Sequence, residues 1–200
     1  MKNIIALTLL FAFTITMHSQ EPSMKKGSVV IYLGAGAGSG YFGTAKYKGV
    51  GFTYRSSPTI HLGFEYGFSE AIPKSILGLG ANITTWFGSY NYRDSWGDGW
   101  NVRWSDITVL ARGYYHHEFL VGEKWDVYAS PMVGLKFRTY SYTYNDPYYS
   151  NSHNSDAGVY PAFGVALGGR YYVSKAFGFY AELSQGYNVD YAKIGFAFKF

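Results

Sequence analysis

Large apolar residues alternate with small or polar residues along most of the chain, and this alternation has the period of a β-strand. The pattern is clearest in the last eight residues, where every second side chain is large and apolar and the side chains between are small or charged. Segments upstream repeat it. The alternation therefore predicts about eight strands, near residues 29–36, 59–68, 77–88, 106–116, 125–140, 159–173, 177–186 and 193–200.

The links between the predicted strands alternate in length. Short links fall at 69–74, 120–124 and 173–175, and long links rich in Tyr, Asn, Ser, Gly and Asp fall at 39–58, 90–103 and 142–157. The short link at 186–190 is the exception. Outer-membrane barrels have short periplasmic turns and long outer loops, and each tilted strand needs about 9–11 residues to cross. The links therefore predict an up-and-down barrel with both termini in the periplasm.

The two faces of the predicted strands indicate which face meets the membrane. One face carries bulky aliphatic and aromatic residues, and the other carries glycine, alanine and the charged residues. A charge on the lipid face at mid-depth costs about 2–4 kcal/mol, and the lumen of an eight-stranded barrel is narrow enough to be filled by side chains. We therefore predict an all-β fold, an eight-stranded antiparallel up-and-down transmembrane β-barrel. A secreted soluble barrel with the two faces reversed is the alternative.

The composition narrows the functional classes. Aromatic residues make up 20% of the 200 residues, charged residues only 15%, and there are 25 glycines, which argues against a helical protein. The absence of cysteine excludes a disulfide framework, a thiol nucleophile and a lipidated N-terminal cysteine. A net charge of +4 is too weak to indicate binding to nucleic acid.

The N-terminal segment has the form of a secretory signal peptide. Lys2 precedes an apolar run of about a dozen residues, which is shorter than the roughly 20 residues of a membrane-spanning helix. We expect residues 1–20 to be the signal peptide, cleaved near Ser19 or Gln20, and residues 21–200 to form the barrel. Removal of Lys2 leaves 16 basic against 13 acidic residues, a net charge of +3.

Charged residues of both signs share the predicted lumen face. Buried charges persist only when they are paired and hydrogen-bonded, so we predict an ion-pair network that plugs the lumen. Its members are Glu65, Arg112, Lys136, Arg138, Arg170, Glu182 and Lys193. We expect the network to be architectural, with a proton or small-ion path along the same residues as the functional alternative.

Two pairs with histidine invite a chemical interpretation. His116 and His117 are neighbours on a strand and point to opposite faces, so they cannot share a metal ion without a bulge, and we expect them at the periplasmic rim. His61 lies two steps from Glu65 on the lumen face, and we expect hydrogen bonding within the plug to be its role. We predict no metal site from either pair.

Three predicted loop segments contain residue types that are used in catalysis or binding. Gly38–Gly43 has the letters of a dinucleotide fingerprint without the βαβ context that the fingerprint requires. The residue types of a hydrolytic triad, with His153 and Asp156, occur between 141 and 156, but in a segment with the composition of a mobile loop. Residues 94–100 could hold a cation or stack a sugar on Trp96 and Trp100, but a tight aromatic turn is favoured. We predict no catalytic residue and no cofactor.

The last eight residues resemble the C-terminal assembly signal of bacterial outer-membrane barrels, with Lys193, Gly195, Phe198 and Phe200 at its four positions. With the signal peptide and the alternating strands, the mature chain resembles small outer-membrane barrels of the OmpA and OmpX kind. The resemblance implies insertion by the barrel-assembly machinery after escort by periplasmic chaperones. It implies no particular chemistry, because a fold does not fix a function.

These inferences together predict a non-enzymatic integral protein of a Gram-negative outer membrane, monomeric and in contact with outer-membrane lipids and lipopolysaccharide. Its Tyr-, Asn- and Ser-rich loops have the composition of binding surfaces and are expected to contact a ligand outside the cell or to have a structural role. A narrow porin-like channel for small solutes or ions is the first alternative, and an outer-membrane lipid-modifying enzyme is the second.

Overall fold

The computed structural model describes residues 23–37, 46–49, 51–70, 72, 74–93, 99–145 and 152–200. These residues form ten strands: β1 (Val29–Ala37), β2 (Lys46–Gly49), β3 (Phe52–Ser56), β4 (Thr59–Ser69), β5 (Ser75–Arg93), β6 (Gly99–Val121), β7 (Trp125–Asn145), β8 (Ser152–Tyr172), β9 (Phe177–Tyr187) and β10 (Ala192–Lys199). No helix among them is long and apolar enough to cross a membrane. The predicted signal peptide at 1–20 lies outside the described residues.

Eight of the strands close into a ring in the order β1–β4–β5–β6–β7–β8–β9–β10, and every pairing is antiparallel. The ring closes where β10 pairs with β1 over eight residues, from Val30↔Lys199 to Ala37↔Ala192. The backbones of Val29 and Phe200 add two hydrogen bonds, of 2.8 and 3.0 Å, at the end of this seam. The predicted eight-stranded up-and-down barrel is confirmed.

Four consecutive strands continue well beyond the ring at one end. β5 to β8 have 19 to 23 residues, whereas β1, β4, β9 and β10 have 8 to 11. β3 pairs with the far part of β5, and β2 pairs with β3. We call this extension the projecting sheet; it consists of β2, β3 and residues 88–93, 99–105, 139–145 and 152–157.

The projecting sheet corrects the prediction of long loops at 90–103 and 142–157. Hydrogen-bonded strand reaches Arg93 on β5 and starts again at Gly99 on β6, and β7 and β8 are likewise paired to Tyr144 and Ser152. The prediction failed because Tyr, Trp and Thr favour strands as strongly as Ser, Asn and Gly favour loops, and these segments contain both groups.

The opposite end of the ring carries the links 70–74, 122–124 and 173–176, which are short, as predicted. We call it the turn end, and the end with the projecting sheet the loop end. The fourth short link, 188–191 between β9 and β10, lies at the loop end, where the sequence also placed it. β4 begins at the loop end, directly after Ser57 and Pro58. These two residues separate β3 from β4, and both of these strands pair with β5.

The ring is apolar outside and ionic inside. Outward residues such as Leu183 and Leu167 are 69% and 68% exposed, whereas the inward residues Glu65 and Arg170 are 0% and 1% exposed. The alternative of a barrel with the two faces reversed is therefore wrong. Along every strand of the ring the bulky stripe identified in the sequence is the outer surface.

Tyrosine rings that lie against glycines fill much of the lumen. A Cβ atom on Gly63 would stand 2.3 Å from Cζ of Tyr32, its partner on the next strand, and one on Gly168 would stand 2.2 Å from Cζ of Tyr128. Such distances leave no room for a side chain. Gly63 and Gly168 therefore leave the spaces that Tyr32 and Tyr128 occupy, which agrees with the close packing expected in a narrow barrel.

Candidate functional site

A cluster of four charged side chains lies inside the lumen near the turn end. Glu65 comes from β4, His116 from β6, Asp126 from β7 and Arg170 from β8, and all four side chains are inaccessible to solvent. Each position lies close to the end of its strand, so the short turns bring the four together from four different strands. We call these residues the four-residue cluster.

The contacts of the four-residue cluster form a closed loop. The Nε2 and Nδ1 atoms of His116 each lie 2.6 Å from a carboxylate oxygen, of Glu65 and Asp126 respectively. Arg170 donates to the remaining oxygens of both carboxylates, at 2.9 Å to Oδ2 of Asp126 and also to Oε2 of Glu65. Ionised carboxylates only accept hydrogen bonds, so an imidazole between two of them donates at both nitrogens when it is protonated, and two cations then balance two anions within this cluster.

A second cluster, centred on Glu182 of β9, lies nearer the middle of the lumen. Arg112 donates to Oε2 of Glu182 at 2.6 Å, Tyr128 donates to the same oxygen at 3.0 Å, and Lys193 donates to Oε1 at 2.9 Å. The guanidinium of Arg170 lies over the ring of Tyr128, with Cζ 4.5 Å from the ring centroid. Tyr128 therefore joins this cluster to the four-residue cluster.

A third cluster lies at the loop end of the lumen, where the barrel opens. Arg138 binds Asp106 through two hydrogen bonds of 2.7 Å, and Nζ of Lys136 lies 3.5 Å from Oδ2 of the same carboxylate. The side chain of Arg138 is 42% exposed. Solvent therefore reaches the outermost cluster and not the innermost one.

The structure places all seven residues of the predicted lumen network on the inward face, distributed over these three clusters. Sequence reasoning did not select the partners Asp106, Asp126 and His116, although their place in the alternation puts them on the same face. His61 is hydrogen-bonded inside the lumen, in agreement with the sequence: its ring nitrogens lie 2.7 and 3.0 Å from the hydroxyl of Tyr180.

The pair His116 and His117 is divided between the two faces, as the alternation indicated. His116 is buried in the four-residue cluster, and the ring of His117 lies near Tyr115 on the other face, with centroids 6.4 Å apart. His116 lies near the turn end, opposite Ile76 at the start of β5, but it is buried inside the barrel and not exposed at a rim.

The four residues of the proposed assembly signal occupy the seam strand β10 and the terminus beyond it. Lys193 is buried and binds Glu182, and Gly195 lies under the ring of Tyr180, whose Cε1 would be 2.8 Å from an added Cβ. Phe198 and Phe200 point outward and are 39% and 74% exposed. The last two positions of the proposed signal therefore present aromatic rings to the surroundings.

Among the described residues, the types considered for a triad do not assemble into one. Nδ1 of His153 is 2.9 Å from Oγ1 of Thr143, its partner across the β7–β8 ladder. Ser155 lies on the same outward face as His153, whereas Asp156 lies on the opposite face and accepts a hydrogen bond from the backbone N–H of Ala157 at 2.7 Å. An orienting carboxylate would have to reach the imidazole on its own face of the sheet. Ser150 lies outside the described residues, as do the segments 38–43 and 94–98.

The inner face of the projecting sheet is aromatic. The rings of Tyr92 and Trp100 stack with centroids 4.5 Å apart, and Trp104 contacts Tyr54 and Trp86 at 5.9 and 6.0 Å. The sequence selected Trp100 as part of a tight aromatic turn, but it is a strand residue of β6.

The outward face of the projecting sheet is polar. Its described side chains on β3 and on β5 to β8 are serine, threonine, asparagine, histidine and arginine, with one alanine: Thr53, Arg55, Ser89, Asn91, Arg93, Asn101, Arg103, Ser105, Thr139, Ser141, Thr143, His153, Ser155 and Ala157. The bulky stripe of the ring therefore ends where the projecting sheet begins.

Comparison with known proteins gives matches in structure alone. No protein-family model matches the chain, and no curated protein matches it in sequence. Among solved structures, Ail, the attachment invasion locus protein of Yersinia pestis, is 13% identical, with 88% of this chain and 100% of that chain covered at a TM-score of 0.46. The N-terminal β-barrel domain of Pseudomonas aeruginosa OprF is 15% identical, with 90% and 100% covered at a TM-score of 0.45. The closed ring of eight antiparallel strands in the chain itself supports the resemblance to small outer-membrane barrels at the level of the fold.

Proposed function

We propose that the chain is a non-enzymatic integral protein of the outer membrane of a Gram-negative bacterium, with a plugged lumen and a surface for recognition at the loop end. The observation that carries the proposal is the polarity of the ring. Its outward side chains are bulky, apolar and exposed, whereas its charged side chains are buried inside. In water that arrangement would expose a continuous apolar belt, which soluble monomers avoid.

The export route completes the proposal. The signal peptide expected at residues 1–20 would carry the chain across the inner membrane, and chaperones and the barrel-assembly machinery would deliver it to the outer membrane. We propose that Lys193, Gly195, Phe198 and Phe200 act as the assembly signal, because they line the seam strand that closes on β1. A chain cut after Ala197 would lose both outward aromatic rings of that signal, and we expect it to accumulate in the periplasm.

Cell fractionation tests the proposed location. We expect the full chain to sediment with the outer membrane, to be extracted only by detergent, and to migrate differently in SDS gels with and without heating. For orientation, Ser141→Cys at the loop end and Lys74→Cys at the turn end form a matched pair in a chain without cysteine. A membrane-impermeant maleimide should label the first in intact cells and the second only after lysis. A heat-insensitive protein in the soluble periplasm would contradict the proposal.

A sealed lumen is the proposed difference from a narrow channel. The four-residue cluster and the Glu182 cluster bring paired charges from β4, β6, β7, β8, β9 and β10 into the lumen, and tyrosine rings occupy the space above its glycines. We expect no steady single-channel conductance in planar bilayers. Regular open events from the wild-type protein would favour the channel instead.

We propose that the surface at the loop end has a role in recognition. The projecting sheet extends four strands of the barrel beyond the apolar belt, so that a broad aromatic face and a polar face stand clear of the ring. Aromatic side chains give a large contact area at a low cost in conformational entropy, which suits recognition. We propose that this sheet, rather than a set of mobile loops, is the part of the protein that contacts molecules outside the cell.

A further inference from the structure

The outward face of the projecting sheet carries two arginines on either side of a serine. The strand pairing places Arg55 of β3 opposite Ser89 of β5, and Ser89 opposite Arg103 of β6. Neighbouring strands lie about 4.7–4.9 Å apart, so the two arginine backbones are about 10 Å apart. Phe87, two residues nearer the ring on β5, is 56% exposed on the same face.

An open cleft of about 470 Å³ lies between these two arginines. Its lining includes Arg55, Ser57, Phe87, Ser89 and Arg103. Two hydrogen bonds between Ser57 and Phe87 hold the base of the cleft in place. The backbone N–H of Ser57 donates to the carbonyl of Phe87 at 2.9 Å, and the backbone N–H of Phe87 donates to the side-chain Oγ of Ser57 at 3.0 Å. The cleft thus combines cations and hydroxyl groups with an exposed aromatic ring.

The arginines of this face differ from the arginines of the lumen. Arg112, Arg138 and Arg170 each bind at least one carboxylate. Arg55 and Arg103 have no ion-pair partner among the described residues, and the described outward face of the projecting sheet has no Asp or Glu. This face is therefore cationic, and the nearby acids Asp106 and Asp156 lie on the inner face.

The position of the cleft indicates which kind of anionic ligand it fits. It lies at the end of the apolar stripe, with Phe87 of β5 and Ile107 of β6 on the side of the ring and Ser89 and Arg103 on the far side. A ligand that spans this boundary needs an anionic, hydroxyl-rich head and an apolar tail. Arginine binds phosphate oxygens through two parallel hydrogen bonds, and serine hydroxyls suit sugars.

We propose that the cleft binds the phosphorylated sugar headgroup of a glycolipid of the outer leaflet, that is, lipopolysaccharide. Arg55 and Arg103 contact phosphate oxygens, Ser57 and Ser89 face the sugar, and Phe87 packs against the start of the acyl chains. The inference rests on the proposed function, since the cleft meets the outer leaflet only when the loop end faces outward.

The test uses the mature chain refolded in detergent micelles, with its heat-dependent migration in SDS gels recorded first. The probes are bisphosphorylated lipid A, fully dephosphorylated lipid A and inorganic phosphate, and native mass spectrometry gives the dissociation constants. The variant Arg55→Gln/Arg103→Gln removes the two cations of the cleft. The control Lys74→Gln/Lys175→Gln removes the same charge from exposed positions at the turn end.

We expect the cleft variant to bind bisphosphorylated lipid A at least about tenfold more weakly than the wild type, because charge-assisted hydrogen bonds are lost. We expect the same loss when the wild type meets the dephosphorylated lipid, and no loss in the control. Equal binding by the cleft variant, an equal loss in the control, or displacement of the lipid by millimolar inorganic phosphate would overturn the inference. Failure of the proposed function would show separately, as a chain that does not fold in micelles or does not sediment with the outer membrane.

Discussion

Strands β5 to β8 run through two sections of the molecule, and the roles of their two faces are exchanged between these sections. In the ring the outward face is apolar and the inward face holds paired charges. In the projecting sheet the outward face is polar and cationic, and the inward face is aromatic. The change takes place over about one row of paired residues, Phe87–Ser105–Thr139–Ala157.

The alternation and the surroundings of a strand determine different properties of its two faces. A period of two residues produces a strand with two different faces in both sections. Which face is apolar depends on whether lipid or water lies outside. With the proposed location and orientation, the row at which the polarity changes would mark the outer edge of the membrane more directly than the ends of the strands do.

The largest effect is expected from Arg170→Ala, which breaks the four-residue cluster. Glu65 and Asp126 would both lose a cation while remaining buried, and an uncompensated buried charge costs about 3–5 kcal/mol. Urea unfolding in micelles, followed by the heat-dependent shift in SDS gels, measures the loss. Arg103→Ala removes an arginine with no ion-pair partner among the described residues and should leave the unfolding midpoint nearly unchanged. Equal stabilities for the two variants would contradict the account that the ring depends on paired charges and the projecting sheet does not.

A smaller effect is expected from a charge on the outward face. Leu183→Lys places an ammonium group on the apolar belt and should destabilise the folded barrel by about 2–4 kcal/mol. Ser141→Lys adds the same charge on the outward face of the projecting sheet, where water surrounds it, and should have little effect. The same unfolding assay in lipid vesicles compares the two. A tolerated Leu183→Lys would mean that the stripe does not face hydrocarbon.

A still smaller effect tests the packing of the lumen. Gly168→Val places a side chain where Tyr128 lies and should cost about 1–3 kcal/mol, as overpacking usually does. Gly169→Val makes the same substitution one residue further on the outward face, where the nearest atom to an added Cβ is 3.9 Å away. The unfolding midpoint of the second variant should stay close to that of the wild type. A result in the opposite order would place Gly169 inside and Gly168 outside.

The sequence predicted the ring well because every strand of the ring must place apolar residues outside and small or polar residues inside, and the alternation shows this separation in all eight strands. It missed the projecting sheet because Trp100, Val102 and Trp104 alternate with Asn101 and Arg103, and the composition of that segment is also typical of loops. In that segment the alternation predicts the structure better than the composition does.

The sequence could assign residues to the lumen but not to particular partners. Glu65 and Arg170 are 105 positions apart, and their contact depends on the register of strands that are not adjacent in the chain. His61 and Glu65 are close in sequence and lie on the same face, yet each side chain binds a residue on another strand. The face on which a side chain lies depends on its local position in the alternation, whereas the residue that it binds depends on how the strands close into a ring.

The most direct test of the account is the depth of single spin labels along the outward face. The chain has no cysteine, so labels can be introduced one at a time at Val165 and Leu183 in the ring and at Ser141 and Ser155 in the projecting sheet. In vesicles, we expect the labels at Val165 and Leu183 to collide with oxygen dissolved in the acyl chains, and those at Ser141 and Ser155 to collide with a water-soluble nickel chelate. Access of the nickel chelate to Val165 and Leu183 would contradict the assignment of the apolar stripe to lipid.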